Sequence, residues 1–227
     1  NKHMLNLRRF TIFQRFALLV GIVVLGLVIL SISSLSNQYQ ALKNEQYLKT
    51  QNLVETAYSV IDHFYNLEQS NTLTQQQAQS QALATISALR YDNTNYFWIN
   101  DYHPKMIMHP FKPDLNGTDL TNNKDPDGTA LFVEMVKVTQ QAGSGFVPYK
   151  WPKPGKDKPV DKIAFVKGFN QWQWVIGSGV YLDSIDGAFA EQRNLIIINA
   201  VVMIIALIIL SYFIGKSIIT PTRLAAD

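Results

Sequence analysis

The sequence predicts an α+β fold: a long N-terminal helix packed on a five- to six-stranded antiparallel sheet, flanked by two transmembrane helices. Three observations carry this. Phe16 to Leu35 and Leu195 to Ile214 are uncharged apolar runs near the two ends of a 227-residue chain, each about 20 residues and so long enough as a helix to cross a hydrocarbon layer of about 30 Å. After the first run, apolar residues recur at the three-four spacing of one helical face, with no Pro or Gly between Leu27 and Glu68. Farther on, short aromatic and β-branched runs alternate with turn formers, the pattern of an antiparallel sheet.

The ends set the organisation. Lys2, Arg8, Arg9 and Arg15 precede the first run, and Lys216 and Arg223 follow the second, so both flanks are expected inside the cell. This gives a cytoplasmic N-terminus over residues 1–15, a span over 16–35, an outer domain over 36–194, a second span over 195–214 and a cytoplasmic segment over 215–227. A cleaved leader, with Leu5 to Arg15 as its positive region and Phe16 to Leu30 as its apolar core, is the alternative, but no convincing small-x-small site follows. Six of the 20 basic residues lie in the flanks, which leaves 14 in the outer domain against 16 of the 17 acids. The basic pI of 9.0 therefore belongs to the ends, and the domain carries no nucleic-acid footprint. With no cysteine, it holds together through its core alone.

Within the outer domain, Tyr39, Leu42, Leu48, Leu53, Val54, Tyr58, Val60, Ile61, Phe64 and Tyr65 fall at roughly the three-four spacing of one face of the long helix, which Asn71 and Thr72 interrupt. Thr74 with Gln77 forms a capping box for a second helix, whose stripe is Ala78, Ala82, Leu83, Ile86 and Leu89. Tyr96 to Asn100 and Lys105 to His109 read as a hairpin turned by Asp101 to Pro104. A loop rich in turn residues follows (Pro113, Asn116, Gly117). Asp125 with Pro126 is the expected start of a short helix that carries Leu131, Phe132, Met135 and Val136 and ends near Gly143. Strands are expected over Gly145 to Trp151, Val160 to Gly168 and Trp172 to Leu182. From Asp183 a helix runs into the second span. The long helix is expected across one sheet face; the other, covered only by the Pro110 to Gly143 excursion, is left for a cavity.

The outer domain resembles the single Cache domain, a sensory module of PAS-like fold found in bacterial transmembrane chemoreceptors. The resemblance rests on LRYDNTNYFWIND (Leu89 to Asp101), MHPFKPDLNGTDL (Met108 to Leu120), DPDGTALF (Asp125 to Phe132), GSGFVPYKWPKPG (Gly143 to Gly155), KIAFVKGFNQWQW (Lys162 to Trp174) and IGSGVYLDSI (Ile176 to Ile185). ITPTRLAAD (Ile219 to Asp227) resembles the start of a HAMP linker. The family implies a multi-pass inner-membrane protein with a periplasmic pocket for a small organic anion, often a short-chain carboxylate. It also implies a homodimer, with signalling through the second span to cytoplasmic proteins. A chemotaxis receptor, a histidine kinase and a diguanylate cyclase are all compatible with it, as is a domain that contacts a periplasmic binding protein in place of a small ligand.

A carboxylate pocket needs donors or cations near an apolar wall, since a desolvated anion without partners is costly. Lys162 shares a strand face with Ala164 and Val166, an unusual neighbourhood for a lysine that only seeks water. His109 closes the second strand and can donate to an anion, or can be a satisfied core residue. Arg90 can pair an anion bidentately or cap the second helix. Trp98, Tyr149 and Trp151 lie in segments that resemble the family's pocket wall, and Phe165 stands where the family leads one to expect a tyrosine. Asp101, His103 and His109 are too few to argue for a metal. No serine elbow, phosphate loop, zinc helix or nucleophilic cysteine is present, so neither catalysis nor a cofactor is expected.

Overall fold

The computed structural model describes residues 10–224 of the chain. Lys2, Arg8 and Arg9, which entered the sidedness argument, and the final residues 225–227 of the HAMP-like stretch lie outside the described residues. The chain divides into two compact units, Leu42–Gly187 and the pair of flanking segments.

The flanking unit contains the first part of helix α1 (Ile12–Gln69) and most of helix α4 (Leu182–Leu224). Both helices are long and apolar enough to cross a membrane. Their large side chains, among them Ile22, Leu25, Ile29, Ile198, Val202 and Ile209, are exposed. That distinguishes them from the core helix of a soluble protein, which hides such residues, and matches a surface meant for lipid.

In the other unit, α1 continues to Gln69 and is followed by α2 (Gln75–Ala88), β1 (Trp98–Asp101), β2 (Met106–Met108), a 3-10 turn (Pro113–Leu115), α3 (Leu131–Ala142), β3 (Ser144–Pro152), β4 (Pro159–Phe169) and β5 (Trp174–Tyr181). The five strands form one sheet in the order β2-β1-β5-β4-β3. Every pairing is antiparallel. The capping box of α2 is in place: Gln77 N–H donates to Thr74 Oγ1 and Thr74 N–H to Gln77 Oε1.

One sheet face packs on α1 and α2 through Val54, Ala57, Ile61, Ala78, Ala82 and Ile86, set against Ile99, Phe165, Phe169 and Ile176. Trp172 fastens the end of α1 to the sheet by donating its indole N–H to Glu68 at 2.8 Å. The opposite face packs on α3 and the preceding loop, with Leu120, Leu131, Phe132 and Met135 against Trp98, Val147, Tyr149, Ala164, Val166 and Val175. Period-two alternation thus splits β4 between two cores.

Strand ends shift by a residue or two from expectation, as where β1 starts at Trp98 instead of Tyr96, and two boundary shifts have a visible cause. Helix α3 begins at Leu131, not at Asp125. The Asp125 carboxylate accepts the N–H groups of Asp127 and Thr129 through Oδ1 and that of Lys150 through Oδ2, closing a turn that competes with the helix. Strand β5 starts at Trp174 because Gln173, at φ 56, turns the chain just before it.

Candidate functional site

The site grows from one residue of β4. Lys162 is 2 % exposed, and its register partners are Tyr149 on β3 and Tyr181 on β5. Its ammonium nitrogen lies 4.5 Å from the ring centre of Tyr96, 4.8 Å from that of Tyr181, 5.3 Å from that of Trp98 and 6.0 Å from that of Tyr149. It also donates to Tyr96 Oη at 3.3 Å. Among the described residues no ion pair includes Lys162. The rings offer cation–π attraction, but burial without an opposite charge still disfavours the ammonium and lowers its pKa from 10.5 to about 7.

His109 sits just past the end of β2 and is also buried. Its Nδ1 accepts the N–H groups of Phe111 at 3.2 Å and Lys112 at 3.0 Å, and its own N–H donates to Asn116 Oδ1 at 2.8 Å. A ring nitrogen that accepts two donors carries no proton, so the proton resides on Nε2. Burial, then the Lys162 charge, then that of Lys112, lower the His109 pKa to about 3. The imidazole is therefore a neutral donor near pH 7. Its ring stands 4.9 Å from that of Tyr96 and 5.8 Å from that of Trp151.

The phenols are held neutral as well. Burial pushes Tyr149 and Tyr96 well above their ordinary value, and Tyr181 up to about 12. Tyr181 donates to Pro152 O at 2.9 Å. A cavity of about 270 Å³ opens beside this group, lined by Tyr96, His109, Phe111, Lys112, Trp151 and the segment from Pro152 to Asp157. A second, of about 380 Å³, touches Tyr149 and Lys162. Its charged lining includes Lys150, which pairs with Asp127 at 2.9 Å and reaches Asp161 at 4.0 Å. The first cavity joins the Tyr96, His109 and Trp151 wall to the cations Lys112, Lys153 and Lys156, while Lys162 itself borders the second; an aromatic wall beside cations suits an anion with an apolar tail.

The structure therefore brings together Lys162, His109, Trp98, Tyr149 and Trp151. Trp98 takes part as a wall only, because its indole N–H is committed to Asn100 Oδ1 at 3.1 Å. Arg90 is not brought in: its guanidinium donates to Ser87 O and Leu89 O, at the C-terminal end of α2, and lies 4.8 Å from the ring centre of Phe111. Phe165 is not brought in either, since it faces the α1 and α2 side and packs 5.0 Å from Phe146. Tyr96 and Tyr181 belong to the group although the sequence did not single them out as site residues. Asp101 Oδ1 accepts the N–H groups of His103 and Lys105 within the hairpin turn. Among the described residues no group of three or more potential ligands is placed to hold a metal.

A five-stranded antiparallel sheet with α1 and α2 on one face, and α3 and an aromatic chamber on the other, defines a PAS-like α+β domain. Residues 23–199 match the family model described as Cache domain, and the chain belongs to that family. Over 224 residues it is 41% identical to the methyl-accepting chemotaxis protein McpP of Pseudomonas putida, an alignment that covers 98% of this chain and 41% of that one. It is 37% identical over 137 residues to the sensor histidine kinase MctS of Rhizobium johnstonii, covering 59% of this chain and 28% of the kinase. The chain thus spans well under half the length of these relatives. Among solved structures it resembles a periplasmic sensor domain of a chemotaxis protein, at 44% identity and TM-score 0.60, covering 62% of this chain and 96% of that one. It also resembles a Cache chemosensory domain solved to explain carboxylic acid recognition, at 46% identity and TM-score 0.61, covering 63% of this chain and 97% of that one.

Proposed function

We propose that the chain is the sensory region of a transmembrane chemoreceptor and that it binds a short-chain monocarboxylate such as acetate or propionate. The observation that carries the reading is Lys162, a buried amine without a counter-ion, ringed by neutral hydrogen-bond donors. Evicting a charge from water costs far more than one hydrogen bond returns. An arriving carboxylate supplies the missing partner, and its bonds to the ammonium, to Tyr96 and to His109 Nε2 are charge-assisted. Trp151 and Tyr149 wall the space on the His109 and Lys162 sides for the alkyl end, with Trp98 backing the amine at 5.3 Å. The solved relative at 46% identity, a Cache chemosensory domain described as recognising carboxylic acids, supports the class of ligand.

Occupancy reaches α4 by a short route. The cavity wall includes Pro152 and Lys153; Pro152 O accepts from Tyr181, and Lys153 pairs with Asp183 at 2.8 Å in the first turn of α4. A ligand that draws this loop inward pulls on the start of the helix, provided that it binds one state better than the other. The same reading puts the domain in the periplasm as part of an inner-membrane homodimer with the output of a methyl-accepting receptor, which the likeness to a chemotaxis protein and to a periplasmic sensor domain supports.

Isothermal titration of the 227-residue chain in nanodiscs against acetate, propionate, butyrate and amino acids tests the ligand. Heat with short acids that vanishes in Lys162→Ala is expected. Silence with every acid, or heat unaffected by Lys162→Ala, refutes the reading. The identity with MctS favours a second output, that of a histidine kinase. Ligand-dependent methylation of the full-length protein supports the chemoreceptor, and ligand-dependent autophosphorylation supports the kinase.

A further inference from the structure

Strand β5 turns Val175, Gly177, Gly179 and Tyr181 to the sheet face that carries Trp98 and Lys162, and it is unusual to find two glycines in the middle of a fully buried strand. Neither has a positive φ, so backbone freedom does not explain them. Space does. A Cβ at Gly177 would overlap the six-membered ring of Trp98, which lies directly across the strand pair. A Cβ at Gly179 would come within 2.8 Å of Lys162 Cε and 2.7 Å of the backbone oxygen of Ile163. With Ala164, the register partner of Gly179, the two glycines form a flat floor under the lysine stem and the indole.

The residue between them works on the opposite face. Ser178 is fully buried, and its hydroxyl donates to Tyr96 O. Since its one proton is spent there, the contact at 2.6 Å with Tyr91 Oη has the tyrosine as donor. Tyr91, Ser178 and the Tyr96 carbonyl thus form a directed chain that fixes the backbone from which the Tyr96 phenol reaches Lys162.

We propose that Gly177, Ser178 and Gly179 are positioning residues that set the geometry of the binding group, with Gly179 fixing the depth of the Lys162 amine and Gly177 the plane of Trp98 that limits ligand length. The proposal rests on the carboxylate reading for its ligand, but its geometry stands apart from it. Trp98 cannot yield freely at 177, because its indole is tied to Asn100. A methyl there moves the ring toward the amine 5.3 Å away and shortens the space for an alkyl tail. At 179 the backbone oxygen of Ile163 cannot retreat, so the strand pair shifts and carries Lys162 with it.

The test compares Gly177→Ala, Gly179→Ala and Gly145→Ala as 227-residue chains in nanodiscs. Gly145 is the control: a Cβ there also meets a neighbour, Val138 Cγ1 at 2.6 Å, but on edge strand β3, two strands across from Gly177 and four residues along from Tyr149, the register partner of Lys162. The readouts are Tm, the Kd for acetate, propionate and butyrate, and the titration midpoint of Lys162 from NMR of its Cε. Gly177→Ala should worsen the butyrate-to-acetate ratio by about tenfold. Gly179→Ala should weaken all three acids by about tenfold or more and move the Lys162 midpoint. Gly145→Ala should lower Tm alone.

An unchanged ratio in Gly177→Ala, or a Gly179→Ala variant that matches Gly145→Ala in midpoint and affinities, overturns the proposal. If Gly177→Ala fails to fold, its combination with Trp98→Phe makes room for the methyl; recovery of folding with a preference for longer acids supports the assignment, and a wild-type preference contradicts it. A wild-type chain that binds no acid removes the carboxylate reading, while the Lys162 midpoint in Gly179→Ala still decides the positioning claim.

Discussion

Lys162 places function and stability in opposition. Its folded pKa of about 7 lies below the ordinary 10.5, so between those values the unfolded chain binds more protons than the folded one. Stability therefore rises with pH across that window, and the full cost of the buried charge is present below pH 7. Lys162→Met should stabilise the domain at pH 6 by roughly 2–4 kcal/mol, seen as a higher urea midpoint, while abolishing acid binding. Binding itself should couple to protons. A bound carboxylate favours the ammonium, so at pH 8.5 each acid should bring up to one proton with it, measurable as a dependence of calorimetric heat on buffer ionisation enthalpy. Affinity should be level from pH 5 to 7 and then fall by up to about tenfold per pH unit. His109 gives a separate signature. Its pKa is lowered from 6.5 to about 3, so the unfolded chain takes up a proton that the folded chain refuses, and stability is lost as pH falls through that interval. His109→Gln should flatten the slope of urea stability against pH by up to about 1.4 kcal/mol per unit there. The face of Lys162 was legible, because a strand alternates strictly. The same rule placed Phe165 on the opposite face, and the family resemblance, which led one to expect a tyrosine there, masked it. Tyr181 was not legible. Its place beside Lys162 depends on the register of β4 with β5, which no local pattern fixes.

The elements were read best where a side chain announces them locally. Thr74 and Gln77 define the start of α2 in the sequence and do so in the fold, through two short-range bonds. Thr74→Ala should cost about 1 kcal/mol in chemical denaturation without touching ligand affinity, since α2 packs on the face away from the chamber. The start of α3 misled because Asp125 and Pro126 are as good at closing a turn as at opening a helix. What decides between them is Lys150, a residue 25 positions away, whose N–H takes the second carboxylate oxygen. Arg90 is the converse case. A cation at a helix end has carbonyl oxygens within reach, and the structure gives it that role, so Arg90→Gln should leave acid affinity within about twofold of wild type.

At the scale of the whole molecule, hydropathy marked the two helices that are long and apolar enough to cross a membrane, α1 and α4, with the sheet-forming region between them in the chain. Sidedness is open to a direct measurement that the composition makes clean. The chain has no cysteine, so Asp157→Cys, on the exposed loop between β3 and β4, gives a single thiol on a blank background. It should react with a membrane-impermeant maleimide in cells whose outer membrane alone has been opened; protection until the inner membrane is breached would place the domain on the other side. The junction of β5 and α4 carries a last consequence. Tyr181 ends the strand and Leu182 begins the helix, leaving no slack to absorb an error in phase. One alanine inserted after Gly187 would turn everything downstream by about 100° and advance it by about 1.5 Å, while the chamber upstream keeps its affinity. Four such insertions, made one residue at a time, would sweep the helix through a little more than a full turn, so a receptor sensitive to azimuth should lose its response and then regain it.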